Sequence, residues 1–298
     1  MRPFAIKRSK LVLIEICTFV CVCPIVVDSM LDTWNMDVGQ VEAKITPRTK
    51  AIMVVHIYGL PVDIAPLLML AKQYGLYILE DAAEMHGQTY NGLACGSFGN
   101  LSTFSFYPNK HITTGEGGMI VTDDPALAER CSALRNLCFQ PQKRFVHEEL
   151  GWNFRMTNLQ AALGVAQLER LDEFVVRKRH MGQRYTELLS DIPGLQLPLA
   201  KTDYAENIYW VYGIVLADSI SVTVAEIMQR LAKHQIGSRP FFWGMHEQPV
   251  FRKLGLFEEV SCPVAEILAR RGFYIPSGLA LTDDQIQKVA TTLREVLR

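Results

Sequence analysis

The apolar positions of this chain fall into two alternating patterns from Pro24 onward. Short continuous runs of apolar and β-branched residues predict buried strands, at 24–28, 51–57, 76–80, 101–107 and 118–122. Between them, helices are predicted at 63–74, capped by Asp63 and ended by Gly75, and from Asp124-Pro125 onward. Because strands alternate with helices, we expect an α/β fold with a mainly parallel sheet and flanking helices.

The pattern changes in the second half of the chain. Leu159, Leu163, Ala166 and Leu171 recur at helical spacing and predict an amphipathic helix over 155–171, and a further helix is predicted over 180–189 after a run of basic residues. Proline and glycine cluster at 192–198, which indicates a domain boundary.

Beyond that boundary we expect a small α+β domain. A strand at 208–216, a helix at 224–236 and a final helix from Thr282 are predicted, the last with Gln285 in a capping box and with a buried apolar stripe. The predicted organisation is therefore an N-terminal segment (1–23) that fits no pattern, a large domain (24–191) and a small C-terminal domain (192–298).

Composition removes several classes of function. The formal net charge of −1 over 298 residues gives no electrostatic basis for nucleic-acid binding. Seven scattered cysteines indicate reduced thiols in the cytoplasm, and Cys17, Cys21 and Cys23 lack the histidine or second cysteine pair of a zinc site, so no metal is expected. The apolar run 11–27 contains Glu15 and is short for a membrane span, so we expect no membrane partner.

Two charged residues at strand ends carry the candidate chemistry. Lys110 follows the strand 101–107 and Pro108, and Asp81 follows the strand 76–80. Ligands of open α/β sheets bind at these carboxyl ends. A lysine held there can attack a carbonyl, and a carboxylate can pair with a pyridinium nitrogen. The alternative for Lys110 is a solvated loop lysine, which the surrounding pattern disfavours. The alternative for Asp81 is a helix N-cap, which spacing alone leaves open.

The motifs around these residues identify a family. The chain resembles the DegT/DnrJ/EryC1/StrS family of aminotransferases that act on sugars with pyridoxal phosphate (PLP), and NKHITTGEGG (109–118) points to its perosamine-forming branch. The resembling segments are PIVVDSMLDTWNMD (24–37), 45–64, EDAAEMHG (80–87), 96–124, GWNFRMTNLQAALGVAQLERLDEF (151–174) and RPFFWGMH (239–246). The resemblance implies fold type I of the PLP-dependent transferases.

The resemblance also implies roles for individual residues. Lys110 would bind the cofactor covalently and move the proton, Asp81 would pair with the pyridine nitrogen, and Glu84 would lie near the ring oxygen. Ser105 would bind the phosphate, and Asn153 would reach the phosphate held by a neighbouring subunit. Arg239 and His246 would lie near the sugar.

The activity implied is amino transfer from glutamate to a nucleotide-linked 4-keto-6-deoxy sugar, GDP-4-keto-6-deoxymannose in the perosamine-forming branch, by a cytoplasmic homodimer. UDP- and dTDP-linked keto sugars are alternative substrates. Family chains carry a further N-terminal stretch with a phosphate-binding turn and a ring-stacking aromatic residue, and we expect both to be missing here. A non-catalytic remnant, or a partner subunit of a full-length paralogue, is therefore the alternative from another class.

Overall fold

The computed structural model describes residues 23–140 and 142–297. The expectations for residues 1–22 lie outside the described residues. The strands are β1 (Ala51–Val55), β2 (Tyr77–Asp81), β3 (Thr89–Tyr90), β4 (Leu93–Ala94), β5 (Leu101–Ser105), β6 (Gly118–Val121), β7 (Leu195–Gln196), β8 (Tyr212–Leu216), β9 (Arg239–Pro240) and β10 (Gly272–Ile275). The helices are α1 (Ala65–Tyr74), α2 (Pro125–Arg135), α3 (Asn158–Leu168), α4 (Leu171–Leu189), α5 (Val224–Lys233), α6 (Pro249–Lys253), α7 (Pro263–Arg271) and α8 (Asp283–Val296).

The first sheet has the strand order β1-β2-β5-β6. β1 pairs with β2 and β2 with β5 in parallel, whereas β6 is antiparallel to β5. The side chains of β1 alternate between half-buried and buried, and the buried residues Ile52 and Val54 pack in one core with Leu67 and Ala71 of α1. The predicted α/β sheet is confirmed, and the carboxyl ends of β1, β2 and β5 meet at one edge.

The second sheet, β7-β8-β10-β9, is antiparallel throughout. All five residues of β8 are buried. One face packs on α4, α5 and α8, where Tyr185, Leu231 and Leu293 are fully buried. The capping box of Thr282 and Gln285 begins α8 as predicted, and the predicted apolar stripe of α8 is buried in this core.

Three local predictions were wrong. Residues 24–28 form no strand, because the side chain of Asp28 accepts the N–H groups of Val264 and Ala265 at the start of α7 and ties the segment there. Asp63 does not cap α1, since its carboxylate accepts the hydroxyl of Tyr90. The third concerns the predicted helices 155–171 and 180–189: α3 ends at Leu168, and α4 runs unbroken from Leu171 to Leu189, so the basic residues 177–180 lie within a helix.

Within the two described ranges, no helix has the length and apolar character that crossing a bilayer requires.

Candidate active site

Three of the predicted residues lie at the common carboxyl edge of the first sheet. Asp81 is the last residue of β2 and Ser105 the last of β5, and these strands are neighbours paired through Asp81 and Thr103. The chain then leaves β5 through a turn in which the N–H of Lys110 donates to the carbonyl of Tyr107 at 3.0 Å. The parallel topology therefore brings a lysine and a carboxylate to one place.

The amine of Lys110 is enclosed. Its side chain is 4% exposed, and Nζ lies 3.5 Å from Oε1 of Glu84, whose side chain is 1% exposed. The same nitrogen lies 4.1 Å from the centre of the Trp210 ring. A lysine this deeply withdrawn from water is not a solvated loop residue, so the alternative weighed from the sequence is excluded.

Asp81 is buried and serves the turn that follows β2. Its Oδ1 accepts the N–H of Ala83 at 2.9 Å, and the residues after it form turns rather than a helix. The N-cap alternative is therefore wrong in its helical form. Asp81 also lines a cavity, whose lining does not include Lys110, Glu84 or Ser105.

Glu84 links this edge to Tyr58. The N–H of Tyr58 donates to Oε2 of Glu84 at 2.7 Å, and Tyr58 itself has φ of 58°, in the left-handed region that non-glycine residues rarely adopt. Burial, together with the negative charge of Glu84, raises the pKa of the Tyr58 hydroxyl, although a hydrogen bond from the N–H of Phe242 opposes the shift. Strained backbone of this kind concentrates at functional sites.

A cavity of about 330 Å³ opens beside Asp81. Its walls are largely apolar and aromatic, and they include Trp34, Tyr58 and residues 241–243. His246 lines the same cavity and is 2% exposed, with Nε2 3.0 Å from Oε1 of Glu266. Arg239 is exposed on β9, where its guanidinium donates to the carbonyl of Ser238. The structure thus joins His246 to the Asp81 cavity and leaves Arg239 outside its lining.

Asn153 and Ser105 differ in their surroundings. Ser105 is buried, and its hydroxyl accepts the N–H of Tyr107 at 3.3 Å. Asn153 is exposed, forms an isolated bridge with Asn136, and accepts a hydrogen bond from Nε of Arg155. Its predicted contact with a neighbouring subunit stays a prediction.

Two buried histidines flank the amine. His86 is 6% exposed between the rings of Phe104 and Phe106, and within the described residues neither of its ring nitrogens has a hydrogen-bond partner. Burial lowers the pKa of His86 to about 4, and the charge of Lys110 acts in the same direction. Burial likewise lowers the pKa of His111, whose Nδ1 lies 3.3 Å from the carbonyl of His86. Both rings are therefore neutral at pH 7.

Glu80, next to Asp81, has a structural role that the sequence did not reveal. Its carboxylate accepts N–H groups from Phe98 and Gly99 and the hydroxyl of Ser102, and it lies 3.0 Å from Nε2 of His56. Nδ1 of His56 accepts the N–H of Val62, so Nε2 carries the proton that is given to Glu80. Cys95 lies close enough to complete a possible metal triad, but this proton leaves His56 without a lone pair for a metal.

Sequence reasoning missed Trp210 and Lys178 as neighbours of the site. Trp210 lies in an apolar run that predicts only a buried strand, and about 100 residues separate it from Lys110. Periodicity carries no information on contacts across such a distance. The one available signal is a lysine, Lys178, at a helical position that faces the core.

The donor set fits the cofactor that the resemblance implies. It offers a buried amine for a carbonyl, a buried carboxylate at the strand end, a second carboxylate beside the amine and a serine hydroxyl. Asp81, Glu84 and Ser105 each accept a backbone N–H, from Ala83, Tyr58 and Tyr107 respectively, so the turns beyond the strands fix their arrangement.

Comparison with known proteins agrees with this chemistry. Residues 16–294 match the model of the DegT/DnrJ/EryC1/StrS aminotransferase family. The chain is 38% identical over 272 residues to GDP-perosamine synthase of Escherichia coli O157:H7, an alignment that covers 91% of this chain and 72% of the relative. It is 34% identical to UDP-N-acetyl-3-dehydro-alpha-D-glucosamine 3-aminotransferase of Acidithiobacillus ferrooxidans, over 95% of this chain and 74% of the relative.

A solved structure shares the architecture. DesV of S. venezuelae, solved in complex with a ketimine intermediate, superposes with a TM-score of 0.83 at 33% identity, and the match covers 92% of this chain and 72% of that chain.

Proposed function

The chain belongs to the DegT/DnrJ/EryC1/StrS aminotransferase family, and from this membership we propose that it transfers an amino group from glutamate to the 4-keto carbon of GDP-4-keto-6-deoxymannose. It is a sugar aminotransferase whose cofactor is PLP. The observation that carries the proposal is the buried pair of Lys110 and Glu84 beside Asp81 at the carboxyl edge of the parallel strands.

The proposed roles follow from the positions of the side chains. When bound, PLP supplies the aldehyde carbon that accepts the amino group and the ring that withdraws electrons. Lys110 would hold the cofactor through its amine and, once the amine of glutamate replaces it there, would take the proton from Cα of glutamate and later deliver one to C4 of the sugar. Asp81 would pair with the ring nitrogen and Ser105 would bind the phosphate, while Glu84 holds the amine of Lys110.

The sugar would enter the cavity beside Asp81. His246 is proposed to contact it from the cavity wall, and Arg239 to approach it from β9. The choice of GDP as the nucleotide rests on the relative from Escherichia coli, whose name specifies a GDP-linked sugar. A UDP- or dTDP-linked keto sugar is the second candidate, and the relative from Acidithiobacillus ferrooxidans, which has a UDP-linked substrate in its name, favours it.

We also propose that the enzyme is a homodimer that buries α3. This helix is turned with its polar side inward: Gln160 donates to the carbonyl of Glu116, and Gln167 exchanges hydrogen bonds with Thr113. Its leucines Leu159 and Leu163 are 81% and 57% exposed. A helix with this orientation needs an apolar partner surface. Asn153 lies on the exposed segment that precedes α3, where a second copy could use it.

The test begins with covalent capture of the cofactor. The purified chain is incubated with PLP, reduced with borohydride and digested, and the peptides are mapped by mass spectrometry. We expect a phosphopyridoxyl group on Lys110, its loss together with loss of turnover in Lys110→Ala, and its retention in Lys72→Ala, which removes an exposed lysine of α1. A folded protein without the adduct contradicts the proposal and favours a non-catalytic chain.

The substrate is tested separately. Turnover with GDP-, UDP- and dTDP-linked 4-keto-6-deoxy sugars is compared at equal concentration, with glutamate as donor. The proposal expects the highest kcat/KM for the GDP-linked sugar, and a preference for either of the others replaces it with the second candidate.

A further inference from the structure

The ring of Trp210 forms a surface against which the amine of Lys110 rests. Nζ lies 4.1 Å from the ring centre, within the range in which an ammonium is attracted by the ring's quadrupole. The indole N–H of Trp210 donates to the carbonyl of Asn109 at 2.9 Å, so the same side chain also holds the backbone next to Lys110. Trp210 therefore contacts both the amine and the loop that presents it.

Trp210 is in turn fixed by α4. Nζ of Lys178 donates to the carbonyl of Trp210 at 2.9 Å and to the carbonyl of Ser277. One turn further along the helix, Gly182 allows the ring of Tyr209 to lie so close that a Cβ at that position would come within 2.4 Å of it. Tyr209 has φ of 48°, so the residue before Trp210 is held in a conformation that the chain adopts only under constraint.

Lys178 is an unusual choice for a role in packing alone. The residue is 3% exposed, and burial lowers the pKa of its amine to about 7. A methionine would fill similar space without the cost of burying a polar head group. What methionine cannot do is donate hydrogen bonds to two carbonyls from different segments of the chain, and that connection fixes Trp210.

We propose that Lys178 and Trp210 are positioning residues for Lys110: Lys178 sets the place of the Trp210 backbone, and the Trp210 ring sets the place and the charge of the amine. The link ties the segment that leads into β8 of the second sheet to the amine on the turn after β5. As a statement about the reaction it rests on the proposed function, because it assigns a task to Lys110. As a statement about the amine itself it can be tested without cofactor.

The experiment measures the amine of Lys110 directly in the full chain without cofactor. Trace labelling with isotopic acetic anhydride across a pH series, read at the Lys110 peptide by mass spectrometry, gives the midpoint at which the amine becomes reactive. A cation–π contact of about 0.5–2 kcal/mol corresponds to a midpoint shift of about 0.4–1.5 pH units. Glu84, His86 and His111 also face the amine and are unchanged in every variant.

Trp210→Leu is expected to lower the midpoint by that amount, because without the ring the ammonium form of Lys110 is less stable relative to the neutral amine. Trp210→Phe keeps an aromatic face and is expected to shift the midpoint by less. Access alone would change the size of the labelling signal and not its midpoint. An unchanged midpoint in Trp210→Leu overturns the proposal.

Lys178→Met separates positioning from charge. Removal of the Lys178 amine by itself would leave the midpoint of Lys110 unchanged or raise it, because burial lowers the pKa of Lys178 to about 7 and any charge that remains repels the Lys110 ammonium. Loss of the fixed ring would lower the midpoint, and a lowered midpoint is the expected result. An unchanged or raised midpoint overturns the role of Lys178. If Lys178→Met does not fold, the pair of Trp210 variants decides the proposal.

Tyr185→Phe is the matched control. Tyr185 lies on the same helix as Lys178 and donates to the carbonyl of Pro276, the neighbour of Ser277. Loss of this hydrogen bond should leave the Lys110 midpoint unchanged. Borohydride capture on the wild-type chain is run in parallel. If the wild-type chain does not capture PLP but the labelling midpoints shift as expected, the proposed function alone is contradicted. If PLP is captured but the midpoints of the variants do not shift, this proposal alone is contradicted.

Discussion

Nζ of Lys110 lies 3.5 Å from Oε1 of Glu84, and water reaches almost none of either side chain. The second oxygen of Glu84 holds the N–H of Tyr58, a residue in the left-handed region. One carboxylate therefore fixes both the proposed nucleophile and a strained turn at the end of β1. Removing one member of a buried pair leaves an uncompensated charge, which makes Glu84 sensitive to change.

Glu84→Gln is expected to lower the free energy of unfolding by about 1–3 kcal/mol, because glutamine can still accept the N–H of Tyr58 but no longer neutralises Lys110. Urea unfolding at pH 7 measures this difference. Glu42→Gln is the control, since Glu42 is exposed and accepts the hydroxyl of Tyr74 at the surface. Equal effects at the two positions would contradict a special role for the buried pair.

Asp81→Asn tests the strand-end carboxylate. Asparagine keeps an oxygen for the N–H of Ala83 but cannot hold a positive charge on a pyridine nitrogen. We expect turnover to fall by about 100-fold or more, on the scale of losing one electrostatic contact to the reacting group, while the melting temperature stays close to that of the wild type.

Asp63→Asn is the matched variant, because Asp63 accepts the hydroxyl of Tyr90 and is not part of the cavity lining. Its turnover should remain near the wild-type value. Similar losses of turnover at both positions would assign the effect to the fold and not to the cofactor contact.

The sequence predicted what depends on local pattern. The strands at the edge, the loop position of Lys110 and the capping box at Thr282 each follow from residues within a few positions of one another. The segment 24–28 failed because it has the composition of a strand but no neighbouring strand in the described residues, and Asp28 binds α7 instead.

The contacts that complete the site could not be predicted, because they join residues far apart in the chain. Trp210 meets Lys110 and Lys178 only through the packing of the second sheet and α4. The orientation of α3, with its leucines facing solvent, could not be predicted either. Helical spacing shows that these leucines share one side of the helix, but it does not show whether that side faces the core.

His86 makes stability depend on pH in a defined window. An imidazole takes up its proton near pH 6.5 in the unfolded chain, whereas burial lowers the pKa of His86 to about 4 in the fold. Between these values the unfolded state binds more protons, so stability falls as the pH drops from about 6.5 to about 4. The contribution of this one residue from pH 7 to pH 5 is about 2 kcal/mol.

His86→Leu should therefore reduce the loss of unfolding free energy between pH 7 and pH 5 by about 2 kcal/mol, because leucine is neutral throughout and the replaced nitrogens have no hydrogen-bond partner among the described residues. Urea unfolding at the two pH values provides the measurement. His234→Leu, at an exposed position, should keep the wild-type dependence. A wild-type dependence in His86→Leu would show that another group governs the acid transition.

The outward leucines of α3 allow a direct test of assembly. Gln160 and Gln167 hold the inner side of the helix against the 113–116 loop, so Leu163→Glu disturbs the outer side and leaves the fold intact. In a dimer that buries this side, the new carboxylate would lose its hydration, and the dissociation constant should rise by about 100-fold, equivalent to about 3 kcal/mol. Light scattering across a concentration series reads the change as a shift from dimer to monomer.

Leu254→Glu introduces the same charge at a leucine that is 61% exposed beyond α6 and should leave the dimer unchanged. A dimer that persists in Leu163→Glu, or a monomeric wild type, would mean that a second copy does not cover α3.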